Sequence, residues 1–195
     1  MKQIAVFASG TGSNTARIIG YFRGHPEIKV SLVVCNKPGA GVLSIAEKEG
    51  VPTLLLEKEA FFRGGGYVEE LKLRGIDFLV LAGFLWKVPA TLVKAYPGKI
   101  LNIHPALLPK YGGKGMYGRY VHEAVIEAGE SETGITIHFV DELYDHGQVL
   151  FQASVPVEAG DTPATVAQKV QRLEYTYFPE IIEKAIGTLH LQNQR

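Results

Sequence analysis

The sequence has little sulfur and no surplus of charge. Cysteine occurs once, as Cys35 in VSLVVC, and methionine twice. A lone thiol cannot close a disulfide within the chain, so a reducing compartment is expected. Its apolar neighbours mark Cys35 as a small buried hydrophobe. Lys and Arg together number 20, as do Asp and Glu, for a formal net charge of zero. That balance argues against the broad basic footprint that nucleic acid or an anionic membrane attracts, though a local anion site stays open. Long apolar runs are missing as well. No stretch approaches the ~18 residues of a membrane span. MKQIAVFASG passes at once from a short apolar run into a glycine loop, which is not the layout of a secretory signal. A cytoplasmic protein without membrane or nucleic-acid partners is expected. At 195 residues the chain fits one domain, 1–195, with a core that needs no staples.

What is present is alternation. IAVFA (4–8), VSLVV (30–34), PTLLL (52–56), DFLVLAG (77–83) and KILNIH (99–104) are continuous apolar runs, expected as strands buried on both faces. Helical patterns fall between them near 13–23, 40–49, 67–74 and 89–96. Such alternation implies an α/β fold: a Rossmann-like, mostly parallel sheet with helices on both faces and right-handed crossovers. After His104 a long loop reaches about Gly118, and the helix YVHEAVIEAG follows. TGITIHFV (133–140) and QVLFQASVPV (148–157) are expected as an antiparallel pair added to the sheet. A long C-terminal helix starts near Thr162, with Thr162 as its cap and Pro163 in its first turn, and is expected to bend or break at Pro179.

ASGTGSN (8–14) joins the first strand to the first helix. Gly10 and Gly12 permit a sharp turn, and the helix amides that follow can receive an anion, most naturally a phosphate. A dinucleotide site would want a third glycine where Thr15 stands and an acid where the second strand ends at Asn36. A purely structural turn is the remaining alternative.

LNIHPALLPKYGG (101–113) ends a hydrophobic strand on an amide and an imidazole. Strand alternation puts Asn102 and His104 on one face, near the edge where parallel sheets carry their sites. Downstream, VDELYDHGQV (140–149) holds Asp141, Glu142, Asp145 and His146 between two strands. This run reads as a solvated turn or as part of a site. A metal site from His138, Asp145 and His146 matches no familiar ligand spacing. His122 and His138 are expected either to back the residues of a site or to support the structure, rather than to bind metal, and His25 and His190 to lie at the surface.

SGTGSN, LAGFLWKVP, LNIHPALLPKYGG and HFVDELYDHGQVLFQ, in this order, resemble the motifs of the folate-dependent formyltransferases. The resemblance runs from about residue 2 to 187 and implies the formyltransferase fold. It also implies transfer of the formyl group of 10-formyltetrahydrofolate to the amine of N1-(5-phosphoribosyl)glycinamide, in purine synthesis, without a metal, by a monomer or weak homodimer. By the same resemblance Asn102, His104 and Asp145 are catalytic. Gly12, Ser13, Asn14, Gln171 and Glu174 are expected to hold the ribonucleotide. Folate contacts are expected from Arg63, from Leu85, Trp86, Lys87 and Val88, from Asn102, and from Asp141, Glu142, Leu143, Tyr144 and Asp145. Two departures stand out: Trp86 occupies a position that is often basic in the family, and the loop around 110–120 is long.

The chemistry is consistent with these residue types. An amine attacking a formyl carbon puts charge on the carbonyl oxygen, which needs aimed donors. Asn102 and a protonated His104 are such donors, and Asp145 is expected to raise the His104 pKa. No single residue stands out as the base for the amine proton. A formyltetrahydrofolate hydrolase and a non-catalytic nucleotide-binding module are the other readings.

Overall fold

The structure, a computed structural model, describes residues 1–63 and 65–192, with side chains through Thr188 apart from Gly66. One seven-stranded sheet runs in the order β3-β2-β1-β4-β5-β6-β7. The strands are β1 (Lys2–Ala8), β2 (Ile28–Cys35), β3 (Thr53–Leu55), β4 (Phe78–Leu81), β5 (Ile100–His104), β6 (Glu132–Phe139) and β7 (Val149–Pro156). The first five pair in parallel, whereas β5–β6 and β6–β7 are antiparallel.

Helices cover both faces because each central strand is apolar on both sides. In β1, Ile4, Val6 and Ala8 join one core cluster, while Ala5 and Phe7 join another. The first cluster packs under α1 (Ser13–Tyr21), α2 (Gly41–Lys48) and α7 (Pro163–Gln192). α6 (Arg119–Glu127) reaches it through Ile126. The second packs under α3 (Lys58–Arg63), α4 (Gly66–Leu73) and α5 (Ala90–Ala95).

Two expectations need correction, and one helix lies outside them. β3 is not buried on both faces: it is a short edge strand with Thr53 and Leu55 exposed. KEAFFR forms α3, a helix that its six-residue length hid from periodicity. α7 is not broken at Pro179 but runs through it as one helix. Proline in a helix interior costs about 3 kcal/mol or more. Fully buried Phe178 and Ile182, on either side of it, anchor the helix to the core and offset that cost. The start of α7 is as expected: Thr165 N donates to Thr162 Oγ1 at 3.3 Å, and Thr162 N to Thr165 Oγ1 at 2.9 Å. His25 is not a free surface group, since its Nε2 lies 3.1 Å from Glu183 Oε1. The His190 side chain lies outside the described residues. No described helix is long and apolar enough to cross a membrane.

Candidate active site

Asn102 and His104 lie at the C-terminal end of β5, on the face opposite the core residues Leu101 and Ile103. Antiparallel pairing sets His138 of β6 directly across from Asn102. Asn102 Nδ2 and His138 Nε2 are 3.1 Å apart. His138 Nδ1 lies 2.8 Å from the Phe139 carbonyl, which can only accept. Nδ1 therefore carries a proton. The sequence leaves open whether His138 backs a site or only the structure, and here it meets Asn102. The 99–104 and 133–140 alternations, placed in antiparallel register, are the signal that pairs it with Asn102.

His104 is anchored at one nitrogen and faces a carboxylate with the other. Nε2 donates to the Tyr111 carbonyl at 2.7 Å. Nδ1 stands 3.6 Å from Asp145 Oδ2, and Asp145 Oδ1 stands 3.7 Å from His138 Nε2. Asp145 accepts the Gly113 N–H at 2.9 Å and has a left-handed backbone, φ 50°. A non-glycine residue keeps that conformation only where its surroundings fix it.

Burial pushes the His104 pKa down, more than the Asp145 charge and the Tyr111 carbonyl push it up, and the nearby His138 adds to the lowering. Asp145 acts in the expected direction, and desolvation outweighs it. For Asp145 itself burial pushes upward, yet the His138 and His104 rings and the Gly113 amide hold the carboxyl below its ordinary value. His122 is buried beside them, its pKa lowered by burial and by His104, and its Nδ1 has no partner among the described residues.

These groups open into a cleft of about 760 Å³. At one end the glycine loop meets α7. Gly12 has φ 82°, and a Cβ there would fall 2.7 Å from Val42 Cα, so glycine is required where α2 crosses the loop. Asn14 Nδ2 donates to Glu174 Oε2 at 2.8 Å, and Gln171 Nε2 to Ser13 Oγ at 3.5 Å. Burial raises the Glu174 pKa against the pull of Asn14. Asn14, Gln171 and Glu174 line the cleft with Gly10, whereas Gly12 and Ser13 support it from behind.

At the other end Leu85, Trp86, Lys87 and Val88 form one wall. Ser9 ties this wall to the glycine loop: its Oγ accepts the Leu85 N–H at 2.9 Å and donates to Asn36 Oδ1 at 2.6 Å. Trp86 packs on Phe61 and Phe62, with ring centroids 5.6 and 5.4 Å away. Asp141, Leu143, Tyr144 and Asp145 form the facing wall, and Lys87 Nζ sits 5.4 Å from the Tyr144 ring centroid.

Two expected folate contacts lie elsewhere. Arg63 is 81% exposed and pairs with Glu59 across one turn of α3, because that helix turns Phe61 inward. Glu142 points to Lys94, 3.6 Å away. His146 bonds Asp141 at 2.9 Å instead of joining His138 and Asp145. The long loop adds Lys114, Met116 and Tyr117 to the lining, and Arg119 joins them from the start of α6. Sequence reading flagged that loop without assigning these side chains.

The sequence profile described as Formyl transferase matches residues 2–182. A chloroplastic phosphoribosylglycinamide formyltransferase of Arabidopsis thaliana is 44% identical over 187 residues, 93% of this chain, which spans only 64% of that relative's length. The phosphoribosylglycinamide formyltransferase of Bacillus subtilis is 34% identical over 192 residues, 96% of each chain. Among solved structures, that of phosphoribosylglycinamide formyltransferase from Bacillus halodurans superposes with a TM-score of 0.85 at 37% identity, over 94% of each chain. With its paired amide and imidazole, its glycine loop and a match over nearly its whole length, the chain belongs to the formyl transferase family.

Proposed function

We propose that this protein moves the formyl group of 10-formyltetrahydrofolate to the amine of N1-(5-phosphoribosyl)glycinamide. The products are the N-formyl ribonucleotide and tetrahydrofolate, in purine synthesis. The reading includes a single domain over 1–195, a cytoplasmic location, and a monomer or weak homodimer.

The observation that carries it is the meeting of Asn102, His104 and Asp145 in the cleft that also holds Asn14, Gln171 and Glu174. A donor set beside a second, polar subsite suits transfer between two bound molecules. In this reading the glycine loop and the α1 amides take the ribonucleotide phosphate, and Asn14, Gln171 and Glu174 take its polar groups. The walls at 85–88 and 141–145 take the folate.

The amine nitrogen attacks the formyl carbon, and the carbonyl π electrons move to oxygen. The resulting oxyanion needs donors that are already in place, because groups that reorient during the reaction forfeit much of their benefit. Asn102 supplies an N–H. His104 Nε2 is committed to the Tyr111 carbonyl, so Nδ1 is left to face the reacting oxygen. Burial keeps His104 largely neutral before substrates bind. The oxyanion adds a second negative charge beside Asp145; the pair favours uptake of a proton from solvent at Nδ1, which donates to the oxygen and returns that proton to solvent on collapse. Asp145, held ionised, also stabilises the ammonium formed on attack. Collapse expels the folate nitrogen with its bonding electrons; the amine loses one proton and the folate nitrogen gains one.

Purified protein given both substrates should yield the N-formyl ribonucleotide and tetrahydrofolate in equal amounts, with no need for ATP. Release of formate at the same rate with and without the ribonucleotide would make it a hydrolase. Binding of the ribonucleotide without turnover would make it a nucleotide-binding module.

A further inference from the structure

The bond that anchors His104 depends on a loop residue in an unusual conformation. Tyr111, whose carbonyl accepts from His104 Nε2, has φ 55°. An L side chain stays in that region only when something outside the backbone holds it. Here the holder is visible. Tyr111 Oη donates to Glu130 Oε1 at 2.8 Å. Lys110 Nζ donates to both oxygens of the same carboxylate, at 2.8 and 3.1 Å. Glu130 sits just past the end of α6, its N–H bonded to the Val125 carbonyl at 3.3 Å. The same loop turn also serves Asp145. Gly113 N–H binds its carboxylate, and a Cβ on Gly112 would come within 2.5 Å of Leu108 Cδ2 and 3.4 Å of Asp145 Cβ. Three residues after Lys110 therefore set both His104 and Asp145.

We propose that Glu130 and Tyr111 are positioning residues: the Tyr111 hydroxyl, held by Glu130, fixes the Tyr111 carbonyl that anchors His104 Nε2 and so makes Nδ1 the working nitrogen. The inference rests on the role given to His104 under Proposed function. It concerns groups outside the cleft, since neither residue lines it. The groups facing His104 are Asp145, His138 and His122, all unchanged by substitutions at Glu130. Those facing Glu130 are Lys110 and Tyr111, with Glu132 close to Lys110.

The test compares Glu130→Ala, Tyr111→Phe, Glu130→Gln and Lys110→Gln by ¹⁵N NMR of the His104 ring and by steady-state kinetics. In Glu130→Ala and Tyr111→Phe, the His104 pKa should fall, because a bond favouring its charged form is loosened. The alkaline limb of kcat should move to lower pH. kcat should drop by about tenfold, the rate equivalent of one lost neutral hydrogen bond. Both KM values should stay within about twofold, as expected when an interaction made in the transition state is lost. The double variant should be no worse than either single one, because both cut the same link. Glu130→Gln, whose amide oxygen still accepts from Tyr111, should retain most activity, and Lys110→Gln, which leaves the Tyr111–Glu130 bond itself in place, should lose less than Glu130→Ala or Tyr111→Phe. An unchanged His104 ring spectrum and pH profile in Tyr111→Phe would overturn the proposal, as would losses that follow melting temperature alone. Tyr111→Phe and Glu130→Gln decide the matter if Glu130→Ala does not fold. Full formyl transfer by His104→Ala would refute the functional reading instead, while the ring spectra would still report the anchor.

Discussion

The donor side and the mouth of the cleft are built differently. The donor side rests on β5 and β6, where His104 and His138 are 4% and 1% exposed and each ring is fixed by a backbone carbonyl. The mouth rests on loops, where Leu85 and Leu143 are 50% and 58% exposed and Tyr144 meets Lys87 only through a ring face. Charge stabilisation needs groups that do not move when the reaction begins, and strand tips in a packed sheet supply them. A mouth that admits and releases a large co-substrate is better made of loops.

The sharpest way to break this contrast is at Asn102. Asn102→Ala should lower kcat by about 10²–10³, with both KM values little changed, as single-turnover rates at saturating substrate would show. Asp145→Asn comes next. It should lower the His104 pKa in an NMR titration and reduce kcat by about 10². An unmoved His104 titration would remove the electrostatic link between them. Gly12→Ala tests the support behind the cleft rather than its chemistry. The left-handed backbone and the contact with Val42 should cost about 1–3 kcal/mol of stability, read by denaturant unfolding.

The donor side should also carry a pH signature. His104 and His122 both have pKa values lowered from 6.5 by burial. The unfolded chain therefore binds more protons than the folded one just below that value, so stability present above about pH 6.5 should decline as pH falls toward 5. Replacing His122 with Gln should flatten part of that decline. The smallest effects belong to the mouth: Arg63→Ala and Glu142→Ala should each leave stability within about 0.5 kcal/mol and the folate KM within twofold. A large KM change at Arg63 would mean that α3 swings toward the folate on binding.

How far the sequence could be read follows the same division. Strands β1, β2, β4, β5 and β6 stood out because apolar runs and period-two alternation are direct consequences of packing in a sheet. Asn102 and His104 could be placed on one face for that reason. β3 was misjudged because an edge strand and a central strand share the same apolar letters; only the neighbours differ. Pro179 signalled a break because local propensity says nothing of Phe178 and Ile182 anchoring α7. Arg63 and Glu142 carry charges that suit a folate, but side-chain direction in a short helix or a turn has no period to follow. The Tyr111 carbonyl was invisible for a simpler reason: a backbone acceptor leaves no mark in the residue code. The sign of the His104 shift needed burial, which the residue type alone does not give.

His104 is the decisive residue. Rapid-quench single turnover with saturating 10-formyltetrahydrofolate and N1-(5-phosphoribosyl)glycinamide should show His104→Ala forming the N-formyl product about 10²–10³ times more slowly than the unaltered protein, with both substrates still bound. Equal rates from the two proteins would contradict it.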